Sequence, residues 1–292
     1  MQVNKSKKIL VFYHADCADG FSAAWVAWLA LKEKAQYISL PYSQASEKKA
    51  FSSIRGRHMY FLDMCPPEDV IRFLNKENQL TIIDHHAGRK EVARLAPEHR
   101  YAQKNSGAVL TWKYFFPKKP TPYLLRFIED RDLFAFKITG GEGLGLYLET
   151  QPFDFKTYSK LAINFQNPKK RSELRKKGQV LLTLKEKYIN SAVKRAVPIN
   201  FDGHRGYLAT GISALRTSIG VATYKKYKCD LVMVLYLEDN HYKITLRAPV
   251  GAKINLTKIA QKYGGGGHQY ASAFHLPLDI KKFPWKYLKK EV

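Results

Sequence analysis

Cysteine and acidic residues are what this sequence has little of. Its three cysteines, Cys17, Cys65 and Cys229, are too few and too scattered for a disulfide framework, which excludes a small stapled secreted fold. The opening stretch "MQVNKSKK" lacks the apolar segment of a signal peptide, and no run approaches the ~18 consecutive apolar residues of a membrane helix. A cytoplasmic, reducing setting without membrane insertion is the expectation. Asp and Glu number 25 against 49 Lys and Arg, a net charge of +24. Such a field attracts phosphate-bearing partners and penalises cationic ones, although a merely soluble lysine-rich protein has the same balance. Internal repeats and low-complexity tracts are also missing, so a repeat architecture is not expected.

What is present is ample core material, 45% hydrophobic residues over 292 positions. Short apolar runs, "ILVFYH" (9–14), "YISLP" (37–41), "MYFLD" (59–63) and "LTIID" (80–84), alternate with helical patterns at 21–34 and 66–78. Continuous apolar strands separated by helices predict an α/β fold with a doubly wound, mainly parallel sheet covered on both faces. Further helices are expected at 106–116 and 121–136, which closes a first domain over 1–153. Residues 154–196 are polar and lysine-rich and read as a helical connector. From 197 to 292 the alternation resumes in a smaller α/β domain, ending in "NLTKIAQKY" and "GGGGHQYASAF".

The ends of the apolar runs carry the chemistry. The first ends in His14 with Asp16 and Asp19 just beyond, the third in Asp63, and the fourth in Asp84 followed by His85 and His86. In doubly wound sheets the carboxyl ends of the strands line the ligand crevice, so these side chains can converge. Mixed carboxylate and imidazole sets suit manganese, zinc, iron or magnesium better than calcium. Singly, each residue has a bland reading: His14 as a surface histidine, Asp16 or Asp19 as an Asx-turn or cap, Asp63 as the cap of the next helix. Delivery of Asp84, His85 and His86 together by one buried strand favours a site. Two ions sharing a bridging carboxylate would activate a water for in-line displacement at phosphorus.

"HADCADGFSAAW", "FLDMCPP", "DHH" at 84–86, "IEDRDLF" and "GGGGHQYASAF", in this order along the chain, resemble the DHH phosphoesterase superfamily with a C-terminal DHHA1 domain. The resemblance implies two divalent ions, Mn2+ first, with Mg2+, Co2+ or Fe2+ as alternatives. It implies that His14 binds one ion, Asp19 the other, that Asp63 bridges them, and that His85 completes the second site with a later aspartate. An aspartate four residues before an aromatic is the family pattern, which selects Asp130 over Asp132. Asp84 would orient the site and His86 would face the scissile phosphate. The family's D-x-D pattern, anchored on Asp19 and Gly20, puts Cys17 where its first aspartate stands. Asp16 is retained as a ligand and Cys17 is read as a soft ligand or a small buried residue. In the tail, Gly265, Gly266, Gly267 and His268 would form an anion nest, and Arg247 would meet a phosphate.

The function these features imply is metal-dependent hydrolysis of short oligonucleotides to mononucleotides. The alternatives are a phosphatase or phosphodiesterase acting on 3′-phosphoadenosine phosphate or cyclic dinucleotides, and a non-catalytic nucleic-acid binder on a degenerate fold. The expected partner is an oligonucleotide or nucleotide substrate; composition does not separate monomer from homodimer.

Overall fold

Why the apolar runs become strands is visible in their alternation. In the computed structural model, which describes residues 2–288, Leu10 and Phe12, Met59 and Phe61, and Leu80 and Ile82 face one core, while Val11, Tyr60, Leu62 and Ile83 face another. A sheet buried on both faces needs an apolar residue at nearly every strand position. Each fully buried Leu or Phe contributes about 1.5–3 kcal/mol.

The chain divides into two units, one up to Leu181 and one from Leu182 on. The first contains β1 (Ile9–His14), α1 (Ala18–Leu31), β2 (Ala35–Leu40), the short α2 (Tyr42–Ala45), β3 (His58–Leu62), α3 (Glu68–Leu74), β4 (Gln79–Asp84), the short α4 (Lys90–Ala93) and β5 (Glu98–Tyr101). Helices α5 (Gly107–Phe115), α6 (Tyr123–Asp132), α7 (Gly141–Glu149), α8 (Phe155–Gln166) and α9 (Pro168–Arg195) follow. All five strands pair in parallel in the order β2-β1-β3-β4-β5. This is the doubly wound α/β sheet, with its topological switch between β1 and β3, where such folds open a crevice at the strands' carboxyl ends.

The polar stretch after residue 153 is more than a connector. Helix α8 buries Tyr158, Leu161 and Phe165 in the first unit's core, and Leu174 of α9 joins them. Asp154 caps α8 by accepting from the Thr157 amide at 2.9 Å. The boundary between units falls inside α9, whose Ala192, with Ala196 just beyond, packs within the second unit.

The second unit comprises β6 (Val197–Phe201), β7 (His204–Thr210), α10 (Arg216–Tyr227), β8 (Val232–Glu238), β9 (His241–Arg247), α11 (Leu256–Gln261), β10 (Gly266–His268), β11 (Ala271–Pro277) and β12 (Trp285–Tyr287). Its sheet runs β10-β11-β9-β8-β7-β6-β12, with β7 and β8 parallel and the other pairs antiparallel. Among the described residues, no helix is long and apolar enough to cross a membrane.

Candidate metal centre

Strand β1 ends in His14 and the chain leaves β3 at Asp63, so the switch between these two strands brings both to one end of the sheet. His14 Nδ1 lies 3.6 Å from Asp63 Oδ2. Strand β4 delivers Asp84 and the two histidines beyond it. His85 Nε2 stands 3.2 Å from Asp63 Oδ1, 3.4 Å from Asp132 Oδ2 and 4.0 Å from Asp19 Oδ2. Asp63 and His85 thus link three groups of ligand-type atoms: His14, Cys17 and Asp63; Asp63, His85 and His86; and Asp19, His85 and Asp132.

Two helix starts frame the cluster. Gly20, in the first turn of α1, sits against the His14 backbone, where a Cβ would come within 2.4 Å of its carbonyl oxygen. Gly107 opens α5 against Asp63, where a Cβ would be 2.6 Å from the Asp63 Cβ. The α5 amide of Ala108 donates to Asp19 Oδ1 at 3.1 Å, fixing that carboxylate with its other oxygen free. Asp63 holds a left-handed backbone (φ 56°), a conformation aspartate tolerates better than most residues and one that recurs at functional sites. It does not cap the next helix; Pro67 occupies that position.

Asp19 and Asp63 are each only 1% exposed. Asp19 Oδ2, Asp63 Oδ1, His85 Nε2 and Asp132 Oδ2 are buried without hydrogen-bond partners. Buried polar atoms are nearly always paired, and these face one another. Burial, with the charges of Asp63 and Asp132, raises the Asp19 pKa well above the usual carboxylate range. Burial also raises that of Asp132. For Asp63 burial acts upward, but the facing imidazoles of His14 and His85 outweigh it and the pKa is lowered. Burial and the Asp63 charge push the Cys17 thiol up to about 12. Carboxylates and a thiol crowded together in this way are destabilised without positive charge among them, and divalent ions supply it. The donor set fits two such ions.

Asp84 accepts from His86 Nδ1 at 2.7 Å. A carboxylate can only accept, so the Nδ1 position carries the proton and Nε2 is the other ring face. That hydrogen bond raises the His86 pKa against the effect of burial. Tyr42 of α2 approaches the same Nδ1 at 3.4 Å, and Tyr101 donates to the His86 carbonyl at 3.0 Å.

Two of the expected ligands lie apart from these groups. Asp16 is exposed, in a left-handed turn (φ 52°), and stands outside all three groups; Cys17 takes the place beside His14 and Asp63. Asp130 likewise stays out. Its carboxylate accepts from the amides of Lys137 (2.8 Å) and Ile138 (3.2 Å), and its carbonyl from Ala135 and Phe136, clamping the loop after α6. Asp132 is the aspartate that meets His85.

That loop presents residues that sequence reasoning missed. Phe134 and Phe136 are 79% and 53% exposed, both at positive φ, and line a cleft of about 490 Å³ with Cys17, Asp19, Arg131 and Asp132. The Arg131 guanidinium lies 4.7 Å from the Phe136 ring centroid. The run "DLFAF" carried the signal: two aromatic side chains in a short segment between polar residues.

In the second unit the glycine run is spent differently from a free nest. Gly264 and Gly265 end α11, their amides donating to Gln261 and Ala260 carbonyls, and Gly266 and Gly267 enter β10 as partners of Ala273 and Ser272. A Cβ on Gly265 would lie 2.1 Å from the Ala273 carbonyl oxygen, so close packing requires that glycine. His268 pairs with Ala271, which pairs with Arg247, so Arg247 and His268 share a row across the sheet. Arg247 donates to Thr217 Oγ1 at 3.0 Å. Burial, then the neighbouring Arg216 charge, lowers its pKa.

The DHHA1 domain family matches residues 191–284, which cover this sheet and its helices. A solved structure of the DHH domain of a member of a ribosomal protein family superposes with a TM-score of 0.52 at 14% identity, over 91% of this chain and 82% of its own. The chain shares its fold with that solved structure. The second unit carries the match to the DHHA1 family. Uncharacterized protein R106 of Acanthamoeba polyphaga mimivirus is 25% identical over 92% of this chain and 68% of its own length. The pGpG-specific phosphodiesterase PggH of Vibrio cholerae is similar at 14% identity over 94% of both chains, with a TM-score of 0.49.

Proposed function

We propose that this chain is a phosphoesterase of the DHH–DHHA1 kind, a manganese-dependent phosphodiesterase that hydrolyses short oligonucleotides to mononucleotides, with water as the nucleophile. The observation that carries the reading is the convergence of unpartnered, buried ligand atoms from Asp19, Asp63, His85 and Asp132 at the switch point of the sheet. Divalent ions held there would lower the pKa of a water and neutralise phosphoryl oxygens. Asp19, Asp63, Asp132 and His85 form a carboxylate-rich set suited to Mn2+ or Mg2+.

The protein's own groups do the rest. Asp84 holds the His86 ring by its Nδ1–H, which leaves Nε2 to donate to a phosphate oxygen when the ring is protonated. Phe134 and Phe136 offer stacking faces beside the carboxylates, and base stacking on an aromatic is worth ~1–3 kcal/mol. This aromatic cleft supports a nucleotide over pyrophosphate. In the DHHA1 unit, Arg247, His268 and the Gly265, Gly266 and Gly267 edge are assigned to substrate phosphates.

The test compares 5′-labelled dinucleotides, longer RNA, single-stranded DNA, 3′-phosphoadenosine phosphate, cyclic dinucleotides and pyrophosphate, with Mn2+ supplied. Dinucleotides should release mononucleotides, and Asp63→Asn should cut that turnover by at least about a hundredfold. Turnover of pyrophosphate alone would overturn the proposal. Turnover confined to 3′-phosphoadenosine phosphate or a cyclic dinucleotide would move the assignment to a small-molecule phosphoesterase. Binding without metal or turnover would make the protein a nucleic-acid binder.

A further inference from the structure

The groups of ligand atoms at and beside Asp63 differ in kind. Asp19, His85 and Asp132 offer only oxygen and nitrogen, whereas the other group pairs His14 and Asp63 with the sulfur of Cys17. Cys17 is the residue before α1, in extended backbone (φ −125°, ψ 132°), and its side chain does not cap the helix. Its neighbour Asp16 takes the left-handed turn that carries the Asp16 carboxylate out to solvent. The turn therefore exchanges a carboxylate for a thiol at this one position. A second observation points to a ligand here: Asp63 is 1% exposed, and its Oδ2 faces His14 Nδ1 at 3.6 Å, beyond hydrogen-bonding distance.

We propose that Cys17 is a metal ligand, and that the His14–Cys17–Asp63 position binds a borderline ion such as Zn2+, Co2+ or Fe2+ in preference to Mn2+ or Mg2+. The inference rests on the reading of the cluster as a two-ion centre and adds that its halves have different metal preferences. Thiolate favours softer ions, imidazole suits zinc, iron and copper, and carboxylate alone suits Mg2+ and Mn2+. The Asp19–His85–Asp132 position keeps the harder preference. Loading with one metal is then less effective than a mixture.

Cobalt(II) distinguishes the outcomes, because sulfur ligation gives an intense near-ultraviolet charge-transfer absorption that oxygen and nitrogen ligation lacks. Titrating the chelator-stripped full-length protein with Co2+ should produce this band. Cys17→Ser should abolish it while weaker visible cobalt absorption from the other position persists. Cys17→Asp should bind two equivalents without the band and lower the Zn2+ over Mn2+ preference at least about tenfold. An independent reading uses the unmutated protein: Zn2+ should slow alkylation of Cys17 by iodoacetamide, mapped by mass spectrometry, while Cys229 reacts unchanged. Two equivalents of Co2+ without the band, or Cys17 alkylation indifferent to Zn2+, would overturn the ligand assignment and leave the two-ion centre standing. No Co2+ binding at all would overturn both.

Discussion

Asp130 and Asp132 are two positions apart near the end of α6, and two residues turn a helix by about 200°. One carboxylate faces His85 and the other leaves on the far side, where it holds the loop carrying Phe134 and Phe136. Asp132→Asn should weaken Mn2+ binding, followed by calorimetry, at least about tenfold. Asp130→Asn should leave Mn2+ binding near its original value, raise KM for dinucleotides, and cost about 1–3 kcal/mol in urea unfolding. The His86 ring gives a second test in metal-free protein. Its hydrogen bond to Asp84 raises its pKa, so it contributes stability fully below the unfolded value of about 6.5, and loses that contribution as pH rises through the folded value. Asp84→Asn should lower the His86 NMR titration midpoint, flatten that part of the stability profile, and cut turnover about 10–100-fold. An unmoved midpoint would remove Asp84 from its orienting role.

At the scale of elements, strands β1 to β4 were legible because a parallel strand covered on both faces must be apolar along its length. Strand β5 was not, since Glu98–Tyr101 lies at the sheet's edge and is partly exposed, with no apolar run to mark it. Helix α7 was hidden by its glycines; Gly143 lets it meet α9 so closely that a Cβ on Gly178 would overlap the Gly143 carbonyl. The starts of α1 and α5 serve the site in the same way, by packing glycine against the strand-end ligands. Gly107→Ala tests this. Helix propensity alone would gain up to about 1 kcal/mol, but the new methyl meets the Asp63 side chain and overpacking costs about 1–3 kcal/mol. The variant should melt lower and bind Mn2+ more weakly; a higher melting temperature with unchanged metal affinity would show that Asp63 yields without cost.

For the whole molecule, the net charge of +24 is the property that acts at a distance. If substrate is oligonucleotide, kcat/KM should fall as salt rises, by a log–log slope of about −0.7 for each phosphate neutralised on a single strand. Longer RNA should show a steeper slope than a dinucleotide, measured with Mn2+ held saturating. Equal slopes would confine the useful charge to the site.

The apolar runs, their mainly parallel pairing, and the appearance of His14, Asp63 and "DHH" at strand ends were legible in the sequence, because a strand covered on both faces must be apolar along its length. The tertiary structure alone sets Cys17, and not Asp16, beside His14 and Asp63, and Asp132, and not Asp130, beside His85. It also made a helix stop and an edge strand of the glycine run. Residues one or two apart in a turn or helix point in different directions, so their roles depend on which element packs beside them, and spacing along the chain does not encode that.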